Sequence, residues 1–387
     1  MAKYRLMSFN MLLLFFSMSL FSIVEYSIIA IFPVYISENM DYSRSYIGLF
    51  IGIFSVSALF IKFFIGYITD RIGRKTVFIF GLLLCIACTG LYYFAAVFML
   101  LLFVRLLHGV GSGAVRAIYP ALTIDIVNKE NAGRGLGLIG MTSVFGMLLA
   151  SSSVFYIIDI ESYRTLFALL TITGFILIIP VLFIKIEQTQ IPKRKLSLEC
   201  FIEYRVLSLA FLRFVASMWH GLFMSYAVIH ARNEGVMNAG VVIMAYALGN
   251  FIMRPLAGYV LDKRDPGYIA WLSYVLYIIG YYIFGNATDY FSMISGGLLI
   301  GFGVGVEHTM LPVMASKIVR KESIGRANST LECAYSMGIV AGAVFCGKIT
   351  ESMPLNILYT SVGVMNIIPF IMFYMFVLKS YRNHILK

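Results

Sequence analysis

Long apolar stretches recur along almost the whole chain, and only short polar breaks separate them. Crossing the hydrocarbon of a bilayer as a helix takes about 20 apolar residues, and stretches of that length recur from Met7 to Leu378. Of the 387 residues, 60% are hydrophobic and only 13% are charged, whereas roughly a quarter of an average soluble domain is charged. The sequence therefore predicts an all-α membrane protein.

The apolar stretches predict twelve transmembrane helices, whose ends are set by the polar breaks. The predicted spans are residues 8–36, 45–69, 75–95, 98–125, 134–158, 164–186, 204–231, 238–262, 268–286, 290–317, 326–350 and 355–379. The first stretch has no small-residue cleavage site, so we interpret it as a retained helix and not as a signal peptide.

The basic residues predict the topology. The chain has 30 Lys and Arg residues and a net charge of +11. The predicted N-terminal, second-to-third, central and tenth-to-eleventh connections carry eleven of these basic residues, whereas the connections on the opposite side carry only Arg44, Arg164 and Arg232. The positive-inside rule then places both termini and the central loop in the cytoplasm, which requires an even number of spans. We therefore expect a multi-pass protein of the cell (inner or plasma) membrane and no nucleic-acid partner.

A shift of 192 residues brings the two halves of the chain into register. The matched residues are mostly those that govern turns and helix packing: Gly66, Tyr67 and Asp70 fall on Gly258, Tyr259 and Asp262, Lys62 on Arg254, Gly109 and Gly113 on Gly301 and Gly305, and Pro120 on Pro312. Such a constant offset indicates an internal repeat. The sequence predicts two pseudo-symmetric six-helix bundles, residues 1–186 and 204–387, joined by a cytoplasmic linker at 187–203.

Two motifs carry a family resemblance. The stretch between the second and third spans, with Gly66, Asp70, Arg71, Gly73, Arg74 and Lys75, resembles the signature loop of the major facilitator superfamily. The stretch from Arg105 to Gly113 in the fourth span resembles the Arg-centred fourth-helix motif of that family. With the span count and the repeat, the resemblance covers essentially the whole chain, and it points to the bacterial twelve-span exporters of drugs and metabolites.

The resemblance implies transport by alternating access and a gating role for the loop. Asp70 would help to hold the cytoplasmic side shut in the outward-facing form, and Arg71 and Arg74 would brace it; alternatively, the basic residues only fix topology. The fifth-helix motif of the antiporters, which ends in Gly-Pro-x-x-Gly-Gly, is altered here: Gly146 to Ser151 reads Gly-Met-Leu-Leu-Ala-Ser. This departure leaves the direction of transport open.

Ionisable residues inside predicted spans are the candidates for proton coupling or a substrate cavity, because a charge in the bilayer is costly and functional by default. Among such residues, we take as candidates Glu25 in the first span, Arg105, His108 and Arg116 in the fourth, Arg213 and His220 in the seventh, and Glu307 and His308 in the tenth. By resemblance, these four helices line the central cavity of the family.

The roles of several candidates stay open at the level of sequence. Glu25 lies near the middle of its span and is a plausible proton carrier, unless it forms a static ion pair with Arg105 or Arg116. His220 is either a packing residue or part of the cavity. Glu307 and His308 are neighbours and point about 100° apart on a helix, so both cannot face a cavity squarely.

The leading hypothesis is a secondary active transporter that couples protons to the export of a small amphipathic or zwitterionic compound, such as a drug or a metallophore-like metabolite. The alternative is an uptake symporter or facilitator for a small anionic or zwitterionic metabolite; a membrane sensor is a third possibility. No catalytic triad, metal cluster or phosphate loop stands out in the sequence. We therefore expect no enzyme activity, cofactor or metal, and a monomer whose partners are its substrate, protons and the lipid bilayer.

Overall fold

The computed structural model describes residues 8–40, 44–94, 97–127, 132–185, 202–236, 238–320 and 323–385, and these described residues contain helices and no strand. The first half of the chain contains six long helices. They are α1 (Phe9–Val34), which continues into a π-helical turn at Tyr35–Asn39, α2 (Arg44–Ile72), α3 (Arg74–Tyr92), α4 (Phe98–Ile126), α5 (Ala132–Ile160) and α6 (Tyr163–Phe183).

The second half begins with a 3₁₀ turn at Tyr204–Val206. The helices that follow are α7 (Leu207–Asn233), α8 (Val241–Lys263), α9 (Gly267–Gly285), α10 (Tyr290–Ile318), α11 (Ile324–Ile349), α12 (Leu355–Met365), α13 (Ile367–Met372) and α14 (Leu378–Ile385), with a π-helical turn at Phe373–Val377 between the last two. The last four segments form one interrupted span.

The described helices confirm the predicted fold class. Eleven of the helical segments are long and apolar enough to cross a membrane, and α2 carries a shorter apolar stretch, Tyr46–Lys62. Counting α2, these are the twelve predicted spans. The predicted span 355–379 is confirmed, since Leu355–Asn383 is long and apolar enough to cross the membrane, although its helix breaks at Asn366. Pro369 explains the break, because it has no N–H to donate to the carbonyl of residue 365.

The chain forms two compact units, one of residues 1–35 and 50–196 and the other of residues 36–49 and 197–387. Within the first unit, α1 packs against α5 and α6, and α3 packs against α4. Within the second, α7 packs against α11, and α9 packs against α10. The helix pairs of one unit are thus repeated in the other, six helices later in the chain.

Glycines at matching positions of the repeat bring matching helices together. A Cβ on Gly109 or Gly113 of α4 would collide with the backbone carbonyls of Phe54 or Ala58 on α2. The repeat counterparts Gly301 and Gly305 of α10 approach the carbonyls of Tyr246 and Asn250 on α8 in the same way. Since small residues let membrane helices approach closely, these glycines fix the fourth helix of each unit against the second. They thereby position the polar side chains of α4 and α10.

Candidate functional site

The first polar cluster lies inside the first unit, around Glu25 of α1, whose surface is only 2% exposed. Ser112 of α4 donates its hydroxyl to Oε1 of Glu25 at 2.5 Å. Nη2 of Arg116, one turn further along α4, lies 3.7 Å from the same oxygen. The other oxygen, Oε2, is buried and has no hydrogen-bond partner. One side of the carboxylate is therefore bound, and the other faces the protein interior without a donor.

His108 of α4 stands opposite the unbound side of Glu25. Its Nε2 lies 3.7 Å from Oε2 of Glu25 and, like that oxygen, has no hydrogen-bond partner. Its Nδ1 shares a hydrogen bond of 3.1 Å with the hydroxyl of Tyr92 on α3. Tyr92, His108 and Glu25 thus form a row of polar groups in an apolar interior, where each group can exchange a proton only with its neighbours or with water that enters.

Arg105 does not pair with Glu25. Its Nε reaches the backbone oxygen of Phe50 at 3.4 Å, and its guanidinium lies 4.4 Å from the ring centre of Phe32 and 4.3 Å from that of Phe54. Its Nη1 is buried and has no hydrogen-bond partner. Two cation–π contacts hold this charge, and among the described residues no carboxylate pairs with it. Of the two partners that the sequence left open for Glu25, the structure places Arg116 beside it.

Cys85 of α3 adds a third potential metal ligand to this cluster. Its Sγ, a carboxylate oxygen of Glu25 and a ring nitrogen of His108 lie within 4.8 Å of one another. The Arg116 guanidinium, at 3.7 Å from the same carboxylate, already supplies a positive charge that a bound cation would have to tolerate. We therefore interpret the group as a buried polar cluster and not as a metal centre.

The second cluster lies inside the second unit and centres on Glu307 of α10, which is 3% exposed. Nη1 of Arg213 on α7 donates to Oε1 of Glu307 at 3.0 Å, and the hydroxyl of Tyr277 on α9 donates to Oε2 at 2.8 Å. The guanidinium of Arg213 also lies over the ring of Tyr335, 4.6 Å from its centre. Both oxygens of this carboxylate are bound, in contrast to those of Glu25.

Two histidines of the second unit, His220 and His308, lie on another side of the same region. Tyr246 of α8 shares a short hydrogen bond of 2.5 Å with Nδ1 of His220, and Arg254 of α8 contacts Nδ1 of His308 at 3.2 Å. The rings of His220 and His308 are 6.1 Å apart. Although His308 follows Glu307 directly, it turns toward α8, whereas Glu307 turns toward α7 and α9.

The two units carry their acid and base on opposite helices. In the first unit, the acid Glu25 is on the first helix and the base Arg116 is on the fourth. In the second, the base Arg213 is on the first helix of the unit and the acid Glu307 is on the fourth. The internal repeat thus retains the helix pair that carries the charges and reverses their signs.

The predicted gating loop is anchored by ion and backbone contacts within the first unit. Nη1 of Arg74 contacts both carboxylate oxygens of Asp125 on α4, at 2.6 and 2.7 Å. Nζ of Lys75 donates to the carbonyls of residues 182 and 184 at the end of α6, at 2.9 and 2.7 Å. Gly73 adopts a positive φ of 87°, which lets α2 and α3 join through one residue.

The rest of the loop is described only in part. Arg71 lies over the ring of Tyr67, 4.4 Å from its centre. The surroundings of Gly66 and the side chain of Asp70 lie outside the described residues, so the gating role of Asp70 stays a prediction. The sequence does not predict the contact between Arg74 and Asp125, because nothing in a run of basic residues shows which acid pairs with them.

The corresponding loop of the second unit uses a different pair. Nε and Nη2 of Arg382 on α14 donate to the carboxylate of Asp265, between α8 and α9, at 3.0 Å each. These hydrogen bonds hold the pKa of Asp265 below its ordinary value. Since Asp265 and Arg382 are 40% and 55% exposed, the pair ties the end of the last span to this loop at a solvent-exposed position.

Comparisons with known proteins agree with the fold. The sequence matches the family model of the Major Facilitator Superfamily over residues 14–343 and 206–386. It is 24% identical over 332 residues, 81% of this chain and 82% of the relative, to the multi-drug resistance efflux pump PmrA of Streptococcus pneumoniae serotype 4. It is 23% identical over 377 residues, 92% of both chains, to the quinolone resistance protein NorA of Staphylococcus aureus (strain COL).

Among solved structures, the nucleoside transporter NupG superposes with a TM-score of 0.76 over 95% of this chain and 99% of that chain, at 14% sequence identity. At this identity the likeness concerns the fold alone. The family match spans both halves of the chain, as do the helices that cross the membrane. The chain is a multi-pass membrane transporter and belongs to the Major Facilitator Superfamily.

Proposed function

We propose that this transporter couples the inward flow of protons to the export of small amphipathic or zwitterionic compounds across the plasma membrane, with both termini in the cytoplasm. Relatives described as a multi-drug resistance efflux pump and a quinolone resistance protein support export. Because the chain offers no recognisable nucleotide site in its sequence, an ion gradient is the energy source that fits it.

The main support for proton coupling is that only one oxygen of the Glu25 carboxylate accepts a hydrogen bond. A buried carboxylate is stable when it is either paired or protonated, and this one has one oxygen bound by Ser112 and the other without a donor. Arg116, at 3.7 Å, is too far for a hydrogen bond. A proton on Oε2 neutralises the group, and release of that proton restores an anion that attracts the cationic part of a substrate.

Coupling follows if the proton and the substrate compete for Glu25. The protonated transporter then changes its access state without substrate, and the deprotonated one changes it with substrate, so that a proton moving inward exchanges for a compound moving outward. His108 and Tyr92 extend the polar row from Glu25 into the unit and offer a path for the proton.

The arginines inside the two units indicate which class of substrate the transporter favours. Arg213 is neutralised by Glu307, so that pair contributes little net charge. Arg105 has a buried Nη1 without a partner. A permanent cation in a water-poor site favours a compound that carries an acidic group beside its basic one, that is, a zwitterion.

The loop with Arg71, Gly73, Arg74 and Lys75 would act as a fixed part of the gate. Arg74 and Lys75 bind it to α4 and α6, and a loop held this way can present Asp70 to a helix N-terminus, where an acid is favoured. Release of that contact would accompany the change of access state.

A specific observation favours the alternative, an uptake symporter or facilitator. The fifth helix lacks the proline of the antiporter motif, and α5 is an unbroken helix from Ala132 to Ile160. Gly146 is retained and packs against Ser22 of α1, where a Cβ would collide with its backbone and side chain. The packing role of the motif is thus present, but the proline associated with antiport is not.

Transport by membrane vesicles of opposite orientation tests the proposal. Inverted and right-side-out vesicles would carry wild type, Glu25→Gln or Glu161→Gln, and a pH gradient would be imposed while norfloxacin and ethidium are followed. Glu161 is an exposed acid between α5 and α6 and serves as the matched control.

Accumulation in inverted vesicles with an acidic interior, lost in Glu25→Gln and retained in Glu161→Gln, is the expected result. Gradient-driven accumulation only in right-side-out vesicles would refute export and leave uptake. Equal gradient-driven transport by Glu25→Gln and wild type would remove Glu25 from the coupling path.

A further inference from the structure

Arg254 of α8 is a cation inside a membrane span, and no acid among the described side chains neutralises it. It lies within the span Val241–Leu261, and among the described residues no carboxylate comes within ion-pair distance of it, whereas Arg213 has Glu307 at 3.0 Å. Its Nε donates to Oδ1 of Asn250 at 2.9 Å and its Nη2 contacts Nδ1 of His308 at 3.2 Å. The side chain is exposed. A guanidinium that faced lipid would be very costly, so its exposed surface faces water.

The contact with Arg254 determines the tautomer of His308. A guanidinium only donates hydrogen bonds, so Nδ1 of His308 is the acceptor and the proton of the neutral ring sits on Nε2. Arg254 uses one N–H for Asn250 and one for His308, which leaves three of its five N–H groups available. The three remaining N–H groups of Arg254 and the Nε2–H of His308 therefore form a group of four hydrogen-bond donors without an acceptor.

The surroundings of His308 add a flat aromatic wall. His220 lies 6.1 Å from His308, and the two rings are 5.7 and 5.4 Å from the ring of Tyr335. Two charged groups act on both imidazoles, Arg213 and Arg254, and since Glu307 pairs with Arg213, the net positive charge comes from Arg254. The site is therefore cationic and rich in donors, and it lies beside aromatic rings.

We propose that Arg254 and His308 bind the acidic group, a carboxylate, of the transported compound. A guanidinium presents two parallel N–H groups that match the two oxygens of a carboxylate, and Nε2–H of His308 adds a third donor. The rings of Tyr335 and His220 would cover the apolar body of the compound. This inference rests on the proposed function, because it assigns the acidic half of a zwitterionic substrate to a position in the second unit.

The internal repeat supplies a matched control. Lys62 of α2 is the counterpart of Arg254 in the first unit, and Arg116 is the counterpart of His308. Lys62 is half-buried. Replacing Lys62 or Arg254 by Gln removes one positive charge from a corresponding position in each unit.

The test measures the binding of norfloxacin, a zwitterion, and of its methyl ester to the purified full-length chain in detergent. The chains compared are wild type, Arg254→Gln, His308→Gln and Lys62→Gln. We expect Arg254→Gln to weaken binding of norfloxacin about tenfold or more, as a lost charge-assisted contact does, and to change binding of the ester less than about twofold. His308→Gln should act in the same direction with a smaller effect, and Lys62→Gln should change neither affinity.

An equal loss of both affinities in Arg254→Gln would show a structural effect and overturn the proposal, as would an unchanged affinity for norfloxacin. A wild type that does not prefer the acid to its ester, or that binds neither compound, would overturn it too. Retained ester binding by Arg254→Gln shows that the variant is folded. The proposed export function is tested separately. If the purified chain prefers norfloxacin to its ester in detergent but the vesicles show no gradient-driven export, export is refuted while the binding site stands.

Discussion

The buried pair of Arg213 and Glu307 should respond very differently to the loss of each partner. Both side chains are 5% exposed and their charged atoms are 3.0 Å apart. In Glu307→Leu the guanidinium stays charged, because arginine does not lose its proton in proteins, and an uncompensated buried charge costs about 3–5 kcal/mol. In Arg213→Met the carboxylate can take up a proton and keep the hydrogen bond from Tyr277, so we expect a smaller cost of about 1–3 kcal/mol.

The double variant Arg213→Met/Glu307→Leu should recover most of this loss, since replacing a buried ion pair by apolar residues of similar volume is often neutral. Thermal unfolding of the four purified proteins in detergent measures the cycle. For a folding unit of 150–250 residues, about 2–4 °C of Tm corresponds to 1 kcal/mol. Glu307→Leu should therefore lower Tm by roughly 6–20 °C.

Arg116→Met is the matched control in the first unit. Its guanidinium is 31% exposed and lies 3.7 Å from Glu25, so its removal leaves no buried cation behind and should cost about 1–3 kcal/mol, less than Glu307→Leu. Two results would refute the reasoning. One is a loss in Glu307→Leu no larger than that in Arg116→Met, and the other is a double variant whose Tm falls by the sum of the two single losses.

Two further predictions concern an ion pair at a loop of the second unit and the packing of helices around glycines. The coupling free energy between Asp265 and Arg382, about 0.2–1 kcal/mol in a double-mutant cycle, should be present at neutral pH. This coupling should fade below about pH 4. The pKa of Asp265 is lowered in the folded protein, so the stabilisation by the pair is lost as the pH falls through the folded-state pKa. A coupling that persists at lower pH would contradict this. Gly342→Ala should lower Tm, since its Cβ would collide with the backbone of Met218, whereas Gly140→Ala, with nothing within 4 Å of the added Cβ, should leave Tm unchanged or raise it; equal losses in both would contradict the packing argument.

The membrane spans could be predicted from the sequence because the bilayer imposes a simple rule. The predicted spans 98–125 and 290–317 differ by one residue at the C-terminal end from α4 (Phe98–Ile126) and α10 (Tyr290–Ile318). The repeat also predicted the match between the glycines of α4 and those of α10, since both sets lie at close helix contacts. Hydropathy and small-residue spacing are properties of the chain itself, so these features are visible without a structure.

The partners of the candidate residues could not be predicted in the same way. Tyr277, which binds Glu307, and Tyr92, which binds His108, are two of 25 tyrosines, and no local pattern separates them from packing residues. The repeat matches Arg254 to Lys62, but Arg254 is on the eighth helix, and the resemblance places only the first, fourth, seventh and tenth helices at the cavity. The contact of Arg254 with His308 depends on the relative rotation of α8 and α10, which side-chain packing sets.

The repeat explains why the two units should contribute differently to transport. Both use glycines to bring their second and fourth helices together, so the scaffold is common to both. The ionisable groups differ between the two units. Cys85 and Arg116 of the first unit correspond to Tyr277 and His308 of the second. The tyrosine closes the second hydrogen bond to Glu307, whereas the thiol at the matching position leaves Oε2 of Glu25 without a donor. An acid with two donors is held in one state, and an acid with one donor can change state, so we expect proton exchange to take place at Glu25 while the Glu307 pair holds α7, α9 and α10 together.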